Sequence, residues 1–258
     1  TVLAGTGNVT FTGAVGNAVN ATELEALTIT SAATTLFSGA VTLANALTQS
    51  AGSVATTFTG AVSVGSAALT GTAFNLNNSF ASAGTTAFTN SGVLTKNAGT
   101  NITSTGAFST TGAVNLAANI TTTSTDLTIG GDLVLAEAAA PTLSTGAGTA
   151  GNILVSGTTN GTALGVAESL TVLAGTGNVT FTGAVGNATD ALELEALTIT
   201  SAATTLFSGA VTLSNALTQT AGSVATTFTG AVSVGSAALT GTAFNVNNSF
   251  ASDSISMR

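Results

Sequence analysis

The chain has no cysteine, histidine, tryptophan or tyrosine, a single proline, and only two basic residues, Lys96 and Arg258. Each absence removes a class of function. Without cysteine there is neither a disulfide framework nor a thiolate metal site. Without histidine the commonest acid–base group and metal ligand of neutral pH is missing. Two cations cannot neutralise a run of phosphates, which excludes a nucleic-acid interface. No apolar run approaches the length of a membrane-spanning helix, so no membrane span is expected. No secretory signal is visible either. Thr1 aligns with Thr171 in the middle of a repeat, so the sequence reads as a window cut from a longer chain.

Charged residues make up 5% of the 258, against roughly 25% in an average soluble protein. Yet 44% of the chain is hydrophobic and the net charge is only −8. A disordered segment shows low hydrophobicity and high net charge, the opposite on both counts. Thr, Ser, Asn and Gly must therefore provide the wet surface that Lys and Glu usually provide.

Two periodicities organise the chain. Residues 1–82 return as residues 171–252 with six differences, at Val19/Thr189, Asn20/Asp190, Thr22/Leu192, Ala44/Ser214, Ser50/Thr220 and Leu76/Val246. So faithful a copy marks a tandem array, in which one unit is stacked to gain length. Inside this 170-residue repeat, and through the intervening residues 83–170, a shorter rhythm runs. Glycines that precede short apolar strands fall at Gly92, Gly112, Gly131 and Gly151, spaced by 20, 19 and 20 residues, and Leu170 continues the series 19 later. Gly39 and Gly60, before Ala40-Val41 and Ala61-Val62, are 21 apart. The 32 residues from Gly60 to Gly92 fit neither one period nor two, and imply an irregular coil or a glycine out of phase.

The strands alternate polar and apolar, as in Asn8-Val9-Thr10-Phe11-Thr12 and Leu27-Thr28-Ile29-Thr30. Val, Ile, Thr and Phe suit a pleated surface, and Gly and Asn are expected to supply left-handed corners between strands. Pro141 is expected at a corner. A helix is disfavoured by 31 glycines and the β-branched residues, with Glu23 to Leu27 the one stretch of helical spacing. A coil of 19–21 residues cannot bury its apolar face alone, but stacked on similar coils it can. The fold class is therefore all-β: one continuous parallel β-helix, or β-solenoid, over residues 1–258. At roughly 4.8 Å per coil, some 12 coils give a rod on the order of 60 Å, with about eight or nine coils in each long repeat. Val, Leu, Ile, Ala and Phe are expected inside and Thr, Ser and Asn outside. Phe11, Phe37, Phe58 and Phe108 are expected to stack in the core.

The Phe-Thr/Ser-Gly-Ala-Val strands, the 19–21-residue period and the Thr/Asn/Gly-rich composition resemble the filamentous-haemagglutinin-type β-helix repeats of giant bacterial surface exoproteins and adhesins. The resemblance covers nearly the whole chain and rests on pattern. It implies a right-handed rod exported to the cell surface, acting in adhesion, cell–cell contact or matrix formation. The export domain that such proteins carry at their N-terminus is not represented.

Candidate sites compete with structural readings. Glu23/Glu25 and Glu193/Glu195 are spaced i, i+2, which on a strand puts both carboxylates of a pair on one side, as a glycosidase pair requires. No basic or aromatic residue lies near them in sequence, so they read as a solvated flank. Asp126 and Asp132 bracket Leu127-Thr128-Ile129-Gly130-Gly131 and suggest a calcium site or turn residues. Asn75, Asn77 and Asn78, recurring as Asn245, Asn247 and Asn248, read as corner residues. The Thr-x-Thr pairs Thr10/Thr12, Thr28/Thr30, Thr57/Thr59, Thr103/Thr105 and Thr198/Thr200 evoke ice-binding ladders but skip coils. Asn-x-Ser/Thr triplets such as Asn8-Val9-Thr10 and Asn101-Ile102-Thr103 match the glycosylation motif, as expected by chance in so Asn/Thr-rich a chain. No catalytic, cofactor-binding or metal-binding residue and no cofactor is assigned. The expected role is a non-enzymatic segment of a long secreted bacterial surface fibre or adhesin. Its partners would be neighbouring repeats of itself, with cell surfaces or glycans at second remove. The alternatives are a self-assembling filament subunit, a polysaccharide-active β-helix enzyme and an ice-binding solenoid.

Overall fold

The computed structural model describes residues 1–17, 24–148, 151–162, 168–187 and 194–258. Among these there are strands, turns and no helix, and every inter-strand pairing is parallel. The chain is a parallel β-solenoid of about eleven turns. Each coil presents three faces in succession, begun by strands Val2–Leu3 and Val9–Phe11 and by the bridge residue Val15. Short strands suffice because each is hydrogen-bonded to the coils on both sides, Thr42 N–H donating to Val15 O at 2.8 Å on the coil below. Val41 N–H, for example, donates to Ala61 O at 2.8 Å, and Val15 N–H to Ala40 O at 2.8 Å.

Three inward columns run the length of the rod. The first face climbs through Val2, Ile29, Gln49, Leu69, Phe88, Thr110, Ile129, Val155, Phe181, Phe207, Phe228 and Val246. The second climbs through Val9, Thr35, Thr56, Phe74, Leu94, Val114, Leu133, Thr159, Val185, Val211, Val232 and Phe250. The third climbs through Val15, Val41, Val62, Phe80, Ile102, Ile120, Leu143, Val172, Ile199, Gln219, Leu239 and Met257. At roughly 4.8 Å per level these columns are on the order of 60 Å tall.

The columns expose a phase relation between the two long copies. Val2 opens the first face, but its repeat equivalent Val172 lies on the third, seven coils above Val15. Val15 is itself two faces beyond Val2, so 170 residues advance the chain by seven coils and two faces. That is one third of a coil short of eight, where the sequence rhythm suggested eight or nine. Phe11, Phe37 and Phe58 accordingly stack on the second face, whereas Phe181, Phe207 and Phe228 stack on the first.

The coil step is also broader than 19–21 residues. It falls to 18 from Val62 to Phe80 and rises to 29 from Leu143 to Val172. The longest steps enclose the segments outside the described residues. The apparent 32-residue irregularity between Gly60 and Gly92 is a change of corner. Gly60 precedes a third-face strand (Val62–Val64) and Gly92 a second-face strand (Val93–Lys96), one coil and two faces further on. Gly151 does not belong to the ladder of Gly92, Gly112 and Gly131. Gly157 does, since a Cβ there would lie 2.5 Å from Gly131 C. Leu170 likewise sits on the third face, whereas Ile153 sits on the first.

These ladder glycines are not left-handed corners. Positive φ is confined to Gly5, Gly16, Gly99, Gly146, Gly175, Gly186, Ser124 and Ala138 among the described residues. At Gly39, Gly60, Gly209 and Gly230 the requirement is close approach. A Cβ on Gly60 would stand 2.4 Å from the carbonyl carbon of Gly39, well inside any real contact.

The core is largely as the alternation predicts. Phe37 lies 4.9 Å from Phe11 and 4.8 Å from Phe58, with ring planes within 6° of parallel. Phe207 repeats this at 5.4 and 5.1 Å from Phe181 and Phe228. Phe108 leaves the stack, lying on the first face 6.1 Å from Phe88 in a tilted arrangement. The inside is more polar than expected: Gln49, Gln219, Asn90, Ser104, Glu168 and Lys96 are buried beside several threonines. Pro141 sits just before strand Thr142–Ser144, where its carbonyl accepts from Thr171 N–H at 3.0 Å.

Candidate functional site

The corners between faces carry the polar side chains, and hydrogen bonds from one coil to the next occupy them. Glu25 accepts from Asn45 Nδ2 at 2.9 Å, and its repeat equivalent Glu195 accepts from Asn215 Nδ2 at 3.3 Å. Their proposed partners Glu23 and Glu193 lie outside the described residues. The recurrent Glu–Asn contact gives Glu25 a definite task, tying one coil to the next at an exposed corner.

Asp126 and Asp132 flank strand Leu127–Ile129 at its two ends and each engages the next coil. Asp126 Oδ1 accepts from Asn152 N–H at 2.8 Å and from Asn152 Nδ2 at 3.1 Å. Asp132 Oδ1 accepts from Thr158 N–H at 2.7 Å and from the Thr158 hydroxyl at 2.9 Å. Asn152 Oδ1 in turn accepts from Asn178 N–H at 3.0 Å, and Asn178 Oδ1 from the Thr204 hydroxyl at 2.7 Å. Asp126 is thus the first rung of a corner ladder. Among the described residues no three His, Cys, Asp or Glu gather as metal ligands would.

The asparagines divide: Asn75, which lies within strand Ala73–Leu76 and not at a corner, and Asn77 bond across coils, whereas Asn78 bonds its own chain neighbour. Asn75 Nδ2 donates to Thr57 Oγ1 at 3.2 Å, Asn77 Oδ1 accepts from Asn97 Nδ2 at 2.7 Å, and Asn78 Oδ1 accepts from Ser79 N–H at 2.8 Å. Asn245 and Asn248 repeat the first and third contacts. The Thr-x-Thr pairs are scattered over three faces. Thr28 lies on the first, Thr10 and Thr57 on the second with Leu36 between them, and Thr103 and Thr198 on the third. No face carries an unbroken threonine ladder among these pairs. In the triplet that begins at Asn101, the asparagine uses its Oδ1 to accept from Asn119 N–H at 3.2 Å.

Two buried polar groups escaped the sequence pattern. Gln49, in the first-face column between Ile29 and Leu69, donates to Thr70 O at 3.1 Å and accepts from the Thr56 hydroxyl at 2.8 Å. Gln219 repeats both contacts with Thr240 and Thr226. The signal was present, because both glutamines occupy an inward position of an alternating strand, Ala46–Gln49 in the first copy. Lys96 occupies the inward end of strand Val93–Lys96 and is 1% exposed. Its ammonium donates to Asn97 O at 2.8 Å and reaches Leu76 O at 3.5 Å. Burial lowers its pKa from the ordinary lysine value, since the charged form loses solvation that two carbonyls only partly replace. The amine is enclosed by its own coils and has no approach for a substrate, so its place is structural.

A groove of about 620 Å³ lies at the corner between the first and second faces. Ala51, Gly52, Thr70, Gly71, Thr89 and Ser91 are among the small, uncharged residues lining it. It holds no pair of titratable groups that could act as acid and base. Four buried hydroxyls without a protein partner, on Thr100, Thr125, Thr159 and Thr205, belong to different coils and form no cluster. Among the described residues no helix is long and apolar enough to cross a membrane. No protein-family model, curated protein or solved structure matches the chain.

Proposed function

We propose that the chain is a non-catalytic structural segment of a long bacterial surface fibre or adhesin of the filamentous-haemagglutinin type. It would be exported to the cell surface, where its length and stiffness are its function. The observation that carries this reading is the unbroken run of all three inward columns through both long copies. Lengthening such a rod needs only another repeat, because each coil contacts its neighbours alone. The corner residues Glu25, Asp126, Asp132, Asn77 and Asn152 support the reading as well, since they are occupied in holding coils together. On this reading a partner is met by area, along exposed sheet faces, and not at a pocket.

Negative-stain electron microscopy and circular dichroism of the purified chain test this. The expected result is a β-rich spectrum and particles of one length, about 60 Å. Fibres that lengthen with concentration would instead make the chain a filament subunit. A helical or disordered spectrum would refute the rod. Release of reducing sugar from polysaccharides, lost on Glu25→Gln, would refute the non-catalytic role.

A further inference from the structure

The third-coil offset between the long copies has a consequence for how the rod meets other molecules. Every surface feature encoded in the repeat reappears seven coils and two faces later. That is about 37 Å along the axis, displaced by one face, or about 120°, around it. Val54 shows this directly. It is 54% exposed on strand Gly52–Phe58, at the corner between the first and second faces. Its equivalent Val224 is 55% exposed on strand Gly222–Phe228, at the corner between the third and first faces. The two strands share one burial pattern, so the same apolar knob is displayed in two directions.

The faces between these corners carry almost no charge. Among the described strands the only charged residues are Lys96, which is buried, and Asp253. The remaining acids that the structure describes, such as Glu25, Asp126 and Asp132, sit at corners and turns. With most of the net −8 at corners and turns, the faces themselves carry little charge to hold two rods apart. The outward residues there, such as the exposed Ser63 and the half-buried Thr48 and Ala81, are small enough for sheets to approach to about 10 Å. A face of twelve levels and about three residues' width offers about 600 Å². A stable interface needs about 800 Å² per partner, so one segment of this length associates weakly and a longer array firmly.

We propose that the long repeat turns one lateral contact surface through three directions. A tandem array of it would then bind further copies of the same chain on all sides, with a true period of three long repeats, about 110 Å. Had the repeat held eight whole coils, the three faces would stay chemically distinct and rods could join only through the matching side, into ribbons. The offset makes the faces equal over three repeats and permits bundles. This rests on the rod reading above and adds the partner and its arrangement.

The chain has no native cysteine, so it can be tested cleanly with Val54→Cys, Val224→Cys and the double variant under mild oxidation. Each single variant is expected to give reducible dimers and nothing larger. The double variant is expected to give an open series of trimers, tetramers and higher species, because its two sites face different neighbours. A double variant that stops at a doubly bonded dimer would place both sites on one side and overturn the offset. Monomers throughout, at concentrations where light scattering finds no association of the unmodified chain, would overturn lateral pairing. In both cases a rod of fixed length in the microscope would leave the proposed structural role standing.

Discussion

Gly183→Ala and Gly13→Ala place the same change in the same local sequence, Thr-Gly-Ala-Val, with opposite expected results. Gly183 is stacked on Gly157, and a Cβ there would lie 2.3 Å from Gly157 O and 2.5 Å from its carbonyl carbon. Ordinary contact begins near 3.4 Å, so the coils must part by about 1 Å. Both close contacts are backbone, and neither can swing aside. The bonds nearest the strain are Thr182 N–H to Val155 O at 2.9 Å and Thr159 N–H to Ala184 O at 2.8 Å. Losing two such bonds and some of the packing between adjacent coils costs about 3 kcal/mol. Gly13 has nothing within 4 Å of its Cβ and no positive φ, so alanine there should change stability by less than about 0.5 kcal/mol. Urea unfolding followed by circular dichroism measures both. Equal costs would refute the reasoning, because they would mean the glycines answer a local backbone need and not the coil beneath.

Four further outcomes follow from the same contacts. Phe207→Ala should cost about 3–5 kcal/mol and Phe37→Ala about the same, since each ring is buried between two parallel rings; thermal unfolding of the two variants checks this. Gln219→Ala should cost about 2–4 kcal/mol in urea titration, because it orphans the buried Thr226 hydroxyl and leaves Thr240 O without its side-chain donor. Asp126→Asn should be neutral within about 0.5 kcal/mol, as an amide oxygen still accepts from Asn152 N–H, whereas Asp126→Ala should cost about 1 kcal/mol. Lys96 has a pKa below that of an unfolded lysine, so the unfolded chain binds more protons between the two values. Its stability should therefore rise as pH climbs from the lowered value toward 10.5, and Lys96→Met should abolish that rise when unfolding is measured across the alkaline range.

Much of the fold was legible because alternation and stacking are local and additive. Leu27-Thr28-Ile29-Thr30 reads as a half-buried strand by itself, and Gly39 and Gly60 announce a coil by their spacing alone. Phase was not legible. The same Ser-Gly-Ala-Val string stands at a third-face strand at Gly39 and at a second-face strand at Gly209, and nothing within it differs. Face assignment depends on the summed lengths of all turns below, including the long steps around Leu143 to Val172. A comparison at a spacing of 26 would have revealed part of it, since Asp126, Asn152, Asn178 and Thr204 form one ladder at that interval. Buried Lys96 was illegible for another reason. Its strand neighbours give it an inward place and Asn97 O adjoins it in the chain, but only the stacking on the coil below brings Leu76 O to its ammonium.

The central claim, one continuous solenoid whose second copy begins a face away from the first, is tested most directly by a disulfide across its register. Thr142 and Thr171 are paired on adjacent coils of the third face. Adjacent parallel strands lie about 4.8 Å apart, within the range a disulfide spans. Thr142→Cys with Thr171→Cys should therefore form an intramolecular bond readily and raise the unfolding temperature. The pair Leu154→Cys with Thr171→Cys should not. Bonding of the second pair and failure of the first would place the second copy back on the first face and contradict the account.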